Sequence, residues 1–369
     1  MTARAEAATE QHTVGVVQEL VRRSLSALVI ATVLIGCGYH EAPAGATLEE
    51  SSAPAAPPMP AVPPTLPDPP TLAEHARFGA FTYGGVWQGM EPVVRLELEL
   101  GRGLDVVHWF MSWDHAYDPS MAEAVLAGGR VPLISWQPMH QDLHDITAGH
   151  HDDYLRTWAQ GIQNAPGTVY LRPFPEMNGN WVPWNGNPQA LRDAWTHLTT
   201  LFANEGTHNV RWVWSPNVTD EPRTEHNRME NYYPGHDHVH VLALSGYNWG
   251  DTRPYIGWRS FETIIEGAYA RLVRLGPQPV WMAETASSEV GGDKAAWIRA
   301  MFASAADFPR LEAIVWFNED KETDWRIESS ERALRAFAGE LRAHALGAHE
   351  LGTRALTARA LPALEEPLP

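Results

Sequence analysis

Cysteine is almost absent. Cys37 is the only one in 369 residues, so no disulfide can close within the chain and a thiol catalyst elsewhere in it is excluded. Positive charge is also scarce. Lysine and arginine total 27 against 45 acidic residues, a formal charge of −18. Such a balance argues against nucleic acid or an anionic membrane surface as the working partner and suits a neutral or cationic substrate. The uncharged apolar stretch Leu25 to Ile35 is too short to span a membrane as a mature helix.

That stretch reads as an export signal. Arg22 and Arg23 precede it, and Leu34-Ile35-Gly36-Cys37 at its end resembles a bacterial lipobox, in which the cysteine is lipidated and becomes the mature N-terminus. Residues 1–37 are expected to be a lipoprotein signal peptide, with Cys37 anchoring the exported protein to the membrane of the cell envelope, in the periplasm or at the cell surface. A plain cleaved signal is the alternative. Residues 38–71 are rich in Ala, Pro, Glu and Ser with the pairs Pro57-Pro58, Pro63-Pro64 and Pro69-Pro70, a composition that cannot bury a core. A disordered tether is expected there, and a C-terminal tail over 347–369.

From 72 to 346 short apolar runs alternate with longer amphipathic ones, the rhythm of repeated strand-helix units. The expected strands are Phe78 to Tyr83, Leu104 to Phe110, Val131 to Trp136, Val169 to Phe174, Val210 to Trp214, Val239 to Leu244, Pro279 to Ala283 and Ala313 to Phe317. Asp118-Pro119 and Asn187-Pro188 pair a capping residue with proline at the first helical position. Leu191, Trp195, Leu198 and Phe202, like Tyr154, Trp158 and Ile162, recur at helical spacing and read as core. Eight such units predict an α/β fold, a closed (β/α)8 TIM barrel as a single catalytic domain, with its site at the C-terminal ends of the strands.

Two strand ends carry carboxyl groups. In Thr168 to Asn185, TVYLRPFPEMNGNWVPWN, the alternation of side chains puts Arg172, Phe174 and Glu176 on one side, with Trp181 and Trp184 in front. An ion pair between Arg172 and Glu176 is the plain structural reading. In PVWMAETASS the same alternation places Val280, Met282 and Glu284 on one face, with Glu284 at the end of the seventh strand. Glutamates at the ends of the fourth and seventh strands can face each other across a barrel mouth, which is what a retaining glycosidase needs. The 16 tryptophans recur at expected strand ends, where flat apolar faces can stack on sugar rings, and about half are ordinary core.

The segments RPFPEMNGNWVPW, WVWSPN, SGYNW, WMAETASS and IVWFN occur in that order, and together they resemble glycoside hydrolase family 26 over about Leu72 to Leu341. The resemblance implies a barrel that cleaves internal β-linkages of a polysaccharide with retention, in β-mannan or in a related β-glucan or xylan. It implies Glu176 as acid/base, Glu284 as nucleophile, Tyr247 as the residue touching the nucleophile, and Trp316 as the floor under the sugar being attacked. Members active on mannan usually carry histidine just before the acid/base, where this chain has Pro175. Proline donates no hydrogen bond, so that contact must be supplied elsewhere, with His140 as a candidate.

Further expected substrate contacts are Arg172, Asn178, Trp113, Trp181, Trp184 and Trp249. Each has a structural alternative: an ion pair for Arg172, a turn for Asn178, core packing for the tryptophans. His236, His238 and His240 alternate in a way that suits a metal, but they precede the sixth strand, at the wrong end of a barrel for catalysis. No cofactor is expected. The expected partner is a polysaccharide met by a monomer. The rival readings are a lipoprotein that binds polysaccharide without cutting it and a metal-dependent hydrolase built on the histidines.

Overall fold

The computed structural model describes residues 77–343, within the second of the two compact units of the chain, Val62–Pro369. The signal peptide with Cys37, the tether over 38–71 and the tail over 347–369 lie outside the described residues. Eight parallel strands close into one barrel in sequence order. They are β1 (Arg77–Thr82), β2 (Val106–Ser112), β3 (Val131–Gln137), β4 (Val169–Pro173), β5 (Val210–Trp214), β6 (Val241–Asn248), β7 (Val280–Ser287) and β8 (Leu311–Asn318). The ring is sealed where β1 pairs with β8, from Arg77 opposite Ala313 to Thr82 opposite Asn318.

Around it run α1 (Glu91–Leu100), α2 (Pro119–Ala127), α3 (Leu143–Thr147), α4 (Asp152–Gln163), α5 (Pro188–Asn204), α6 (Phe261–Leu275) and α7 (Lys294–Ser304), with a further helix over 331–343. Their starts follow the sequence chemistry. The Asp118 side chain accepts from the Ser120 amide and the Asn187 side chain from the Ala190 amide, each before a proline that begins the helix. One unit departs from the expected rhythm. Among the described residues, β5 and β6 are joined by a long loop with only short 3₁₀ turns at Met229–Tyr232 and His236–His238. That loop lies beside the barrel mouth.

Two apolar clusters divide the strand side chains. One holds strand residues only, among them Val106, Leu133, Tyr170, Val213, Ala243, Trp281 and Val315, and fills the barrel lumen; Tyr170 and Trp281 stack there at 4.7 Å. The other joins the outward strand positions to the helices and contains the stripes of α4 and α5, with Leu155, Trp158 and Ile162 and with Leu191, Trp195, Leu198 and Phe202. Burying each such large apolar side chain stabilises the fold by about 1.5–3 kcal/mol. Parity along each strand therefore decides whether a residue meets the helices or the mouth.

Candidate active site

Arg172 is the hub of the mouth. It points from β4 into the lumen, fully buried, and its guanidinium donates to Ser135 Oγ of β3 at 2.9 Å, to Ser245 Oγ of β6 at 2.6 Å and to Glu284 of β7. The ion pair expected with Glu176 is thus made with Glu284 instead. A planar fork with several donors can hold three strands in this way, which an ammonium on a flexible stem cannot.

Simple alternation would have placed Glu284 with Val280 and Met282, which belong to the outer core. The pairing with β6 shifts instead: Leu244 faces Met282, Ser245 faces Glu284, and Ala283 is the extra residue between them. A bulge of one residue changes the parity of everything after it and re-aims a side chain. Glu284 thereby turns into the lumen, where it takes the Arg172 hydrogen bond and a second from Tyr247 Oη at 2.8 Å.

Glu176 lies beyond the strand proper, which stops at Pro173. Phe174 and Glu176 have φ of 50° and 56°, a left-handed backbone that costs a non-glycine residue of order 1–2 kcal/mol. This overturns the expected shared face: Phe174 turns outward into the helix-side core beside Trp113 and Trp195. Its burial and the Glu176 amide bond to Ser215 O at 2.8 Å help offset the strain. The Glu176 carboxyl accepts from Trp181 Nε1 at 2.8 Å and from Asn217 Nδ2 at 2.7 Å. Gly179 makes the first contact possible, because a Cβ there would sit 2.3 Å from the Trp181 indole.

The two carboxyl groups are driven apart electrostatically. Burial, then the nearby Glu284 charge, raises the Glu176 pKa, and the hydrogen bonds from Asn217 and Trp181 and the field of Arg172 only partly oppose this. Burial also pushes Glu284 upward, but Arg172, His108 and the Tyr247 hydroxyl together outweigh it and leave the carboxyl below its ordinary range. Tyr247 is held protonated by burial and by both carboxylates, so it remains a donor. Burial lowers His108 of β2 to about 3, with Glu284 raising it and Arg172 lowering it. His108 is therefore neutral, its Nε2 2.7 Å from Ser135 Oγ.

Several expected contacts lie elsewhere. Trp316 is fully buried on the outward parity of β8, against Trp297 and Phe337, with Nε1 bonded to Trp325 O; it offers no face to the mouth. Trp113 is packed among Trp136, Tyr154 and Phe174, and Trp184 is buried with Nε1 on Pro175 O at 2.9 Å. Asn178 is enclosed and bonds Asn217 O, Thr219 O and Asp220, so it supports loops and has no free group for a sugar. Trp249 is half-buried, with the Arg253 guanidinium 3.4 Å from its ring centre. His140 is exposed, 3.7 Å from Asp114, and Trp181 is 49% exposed beside Glu176. The three alternating histidines have separate partners: Tyr233 for His236, Thr199 for His238 and the Trp212 amide for His240.

Residues not singled out from the sequence complete the mouth. Phe317, one past Trp316, stacks on Phe81 at 5.0 Å and meets Tyr247 edge-on at 6.0 Å. Phe110 packs against Phe81 at 5.1 Å, and its carbonyl accepts from Trp87 Nε1 at 3.1 Å, leaving that indole 44% exposed. Asn217 on the β5 loop is the other. The expectation from IVWFN was Trp316; the barrel's registration turns Phe317, its neighbour, towards Phe81 and Tyr247 instead.

Residues 149–308 match Glycosyl hydrolase family 26. The chain is 36% identical over 269 residues to Endoglucanase H of Acetivibrio thermocellus, covering 69% of this chain and 29% of that protein. It is 32% identical over 119 residues to Mannan endo-1,4-beta-mannosidase A and B of Caldalkalibacillus mannanilyticus, 28% of this chain and 22% of the relative. The chain thus spans less than a third of either relative. The catalytic domain of a GH26 endo-beta-1,4-mannanase from Bacillus sp. JAMB-750 superposes with a TM-score of 0.58 at 15% identity, over 74% of this chain and 87% of that one, which establishes the shared fold. By its ordered motifs, its barrel and these matches, the chain belongs to glycoside hydrolase family 26.

Proposed function

We propose that the chain is a retaining glycoside hydrolase that cuts internal β-linkages of a neutral polysaccharide by double displacement. One observation carries this reading: two glutamates at one barrel mouth, Glu284 buried and Glu176 half-buried, with Glu176 pushed towards the neutral acid and Glu284 towards the carboxylate. Pairs of titratable groups separated in this way divide the acid and base roles between them. Glu284, ionised and oriented by Arg172 and Tyr247, attacks the anomeric carbon while Glu176 gives its proton to the departing glycosidic oxygen. Water activated by Glu176 then releases the glycosyl-enzyme with its original configuration. Trp181 beside the acid, and Phe81, Phe110 and the exposed Trp87 backed by the buried Phe317, supply aromatic surface for sugars at the mouth.

A β-glucan is the first substrate to try and β-mannan the second. The relative named as an endoglucanase matches over 269 residues, the one named as a mannosidase over 119, and Pro175 stands where mannan-active members usually carry histidine. Incubation with β-glucans, β-mannan and xylan, followed by mass analysis of released oligosaccharides, tests this directly. Glu176→Gln and Glu284→Gln should each lower turnover by about 10³-fold or more, with retained configuration in the first product seen by NMR. Product-free binding to any of these polymers would favour the non-catalytic alternative.

The sequence also supports export as a lipoprotein, anchored through Cys37 to the cell envelope with 38–71 as the linker. Cys37→Ser should move the protein out of the membrane fraction, and unchanged membrane recovery would rule the anchor out.

A further inference from the structure

Asn217 follows β5 in the segment WVWSPN, where its backbone bridges to Ser245 of β6. The orientation of its side-chain amide is fixed by its neighbours. The Thr219 backbone N–H, which can only donate, lies 3.0 Å from Oδ1, so the oxygen faces Thr219 and Nδ2 faces Glu176 Oε1 at 2.7 Å. The buried Asn178 grips the same residue from behind, accepting from the Asn217 amide at 2.7 Å and donating to its carbonyl at 2.9 Å. The other carboxyl oxygen of Glu176 accepts from Trp181 Nε1 at 2.8 Å, and an indole nitrogen is likewise a donor only. Both oxygens thus face groups that supply a hydrogen and cannot receive one.

We propose that Asn217 is a positioning residue which, with Trp181, directs the proton of Glu176 to the glycosidic oxygen by leaving it no acceptor in this pair of contacts. The inference rests on Glu176 being the acid/base. In the first half-reaction that proton passes to the glycosidic oxygen, which keeps the electron pair of the broken bond as Glu284 bonds the anomeric carbon. In the second, a water proton returns to Glu176 and the water oxygen displaces Glu284. The charged and titratable groups around Glu176 are Glu284 on β7, Arg172 on β4 and Tyr247 on β6. Asn217 adds no charge and supplies direction.

Asn217→Asp tests this, because it keeps the shape while replacing the donor with an acceptor. The kcat/KM for an oligosaccharide, whose leaving group needs protonation, should fall by about 10²–10³-fold, the scale of lost general acid catalysis. For a dinitrophenyl glycoside of the same glycone, whose leaving group does not, it should stay within about threefold of wild type. The alkaline limb of the oligosaccharide pH profile should move to higher pH, and less far in Asn217→Ala. Equal losses on both substrates, or an unmoved limb, would overturn the proposal. Glu176→Ala in the same assay separates the two levels. If it cuts the oligosaccharide normally, the acid/base reading itself fails; if it shows the leaving-group split and Asn217→Asp does not, only the positioning role fails. Should Asn217→Asp not fold, Asn217→Ser, whose hydroxyl can accept as well as donate, must show a split in the same direction.

Discussion

Glu176 and Glu284 are the same residue type under one guanidinium's field, yet their surroundings move them in opposite directions. Arg172 bonds Glu284 directly and influences Glu176 only through space, whereas Glu176 has neutral donors, Trp181 and Asn217. The pH dependence of stability follows. The Glu176 pKa is raised above its ordinary 4.5, so its favourable contribution is complete below that value and is lost as pH rises through the higher folded value. Glu284, depressed below 4.5, contributes above 4.5 and loses its contribution as pH falls through the lower folded value. Glu176→Gln should therefore become more stable relative to wild type as pH rises from about 4 to neutrality, and Glu284→Gln less stable. Melting temperatures of the three proteins across that range check it, and parallel curves would refute the assignment.

A barrel strand sorts its residues by parity, and parity is where sequence reasoning about elements succeeded and failed. The eight strands were legible because their apolar runs and flanking caps follow from local chemistry. Glu284 was legible as a carboxyl of the seventh strand, but neither its place, since the strand runs on to Ser287, nor its direction was, because the Ala283 bulge arises from the registration of β6 with β7 and no local propensity marks it. The left-handed turns at Phe174 and Glu176 were hidden for the same reason: non-glycine residues adopt them under tertiary constraint. Trp316 and Phe317 are adjacent in IVWFN and point to opposite sides, so the tryptophan packs on the helix side against Trp297 and Phe337 and the phenylalanine on the mouth side against Phe81 and Tyr247. Trp316→Ala should destabilise the protein by about 3–5 kcal/mol, while Trp316→Phe should leave kcat/KM within about threefold. Phe317→Ala should lower kcat/KM by about tenfold or more, the scale of a lost aromatic contact. Denaturant titration alongside kinetics separates the two positions; a larger kinetic loss at Trp316→Phe than at Phe317→Ala would reverse the parity assignment.

For the molecule as a whole, closure of the barrel brings together groups that the chain keeps far apart. Ser135, Arg172, Ser245 and Glu284 come from four strands and meet at one guanidinium. A single sequence shows such groups one at a time, which is why Asn217, in an otherwise ordinary loop, escaped notice until β5 was set beside β4. Net charge, by contrast, needs no fold to be read, and its effect extends over the whole surface. A chain of −18 repels an anionic polymer at long range, by an interaction that salt screens within about 8–10 Å at physiological ionic strength. Arg172 at the mouth does not reverse this, because it is buried and paired with Glu284. A carboxymethylated form of the substrate should accordingly be cut more slowly than the neutral polymer at low salt, with a gap that narrows as salt is added. The rate on the neutral polymer should stay flat over the same range. Rates measured from about 10 mM to 300 mM salt decide this. A salt-independent gap would place the discrimination in contacts with the substituent inside the cleft, and a preference for the charged polymer would mean that a local cationic patch overrides the molecule's overall field.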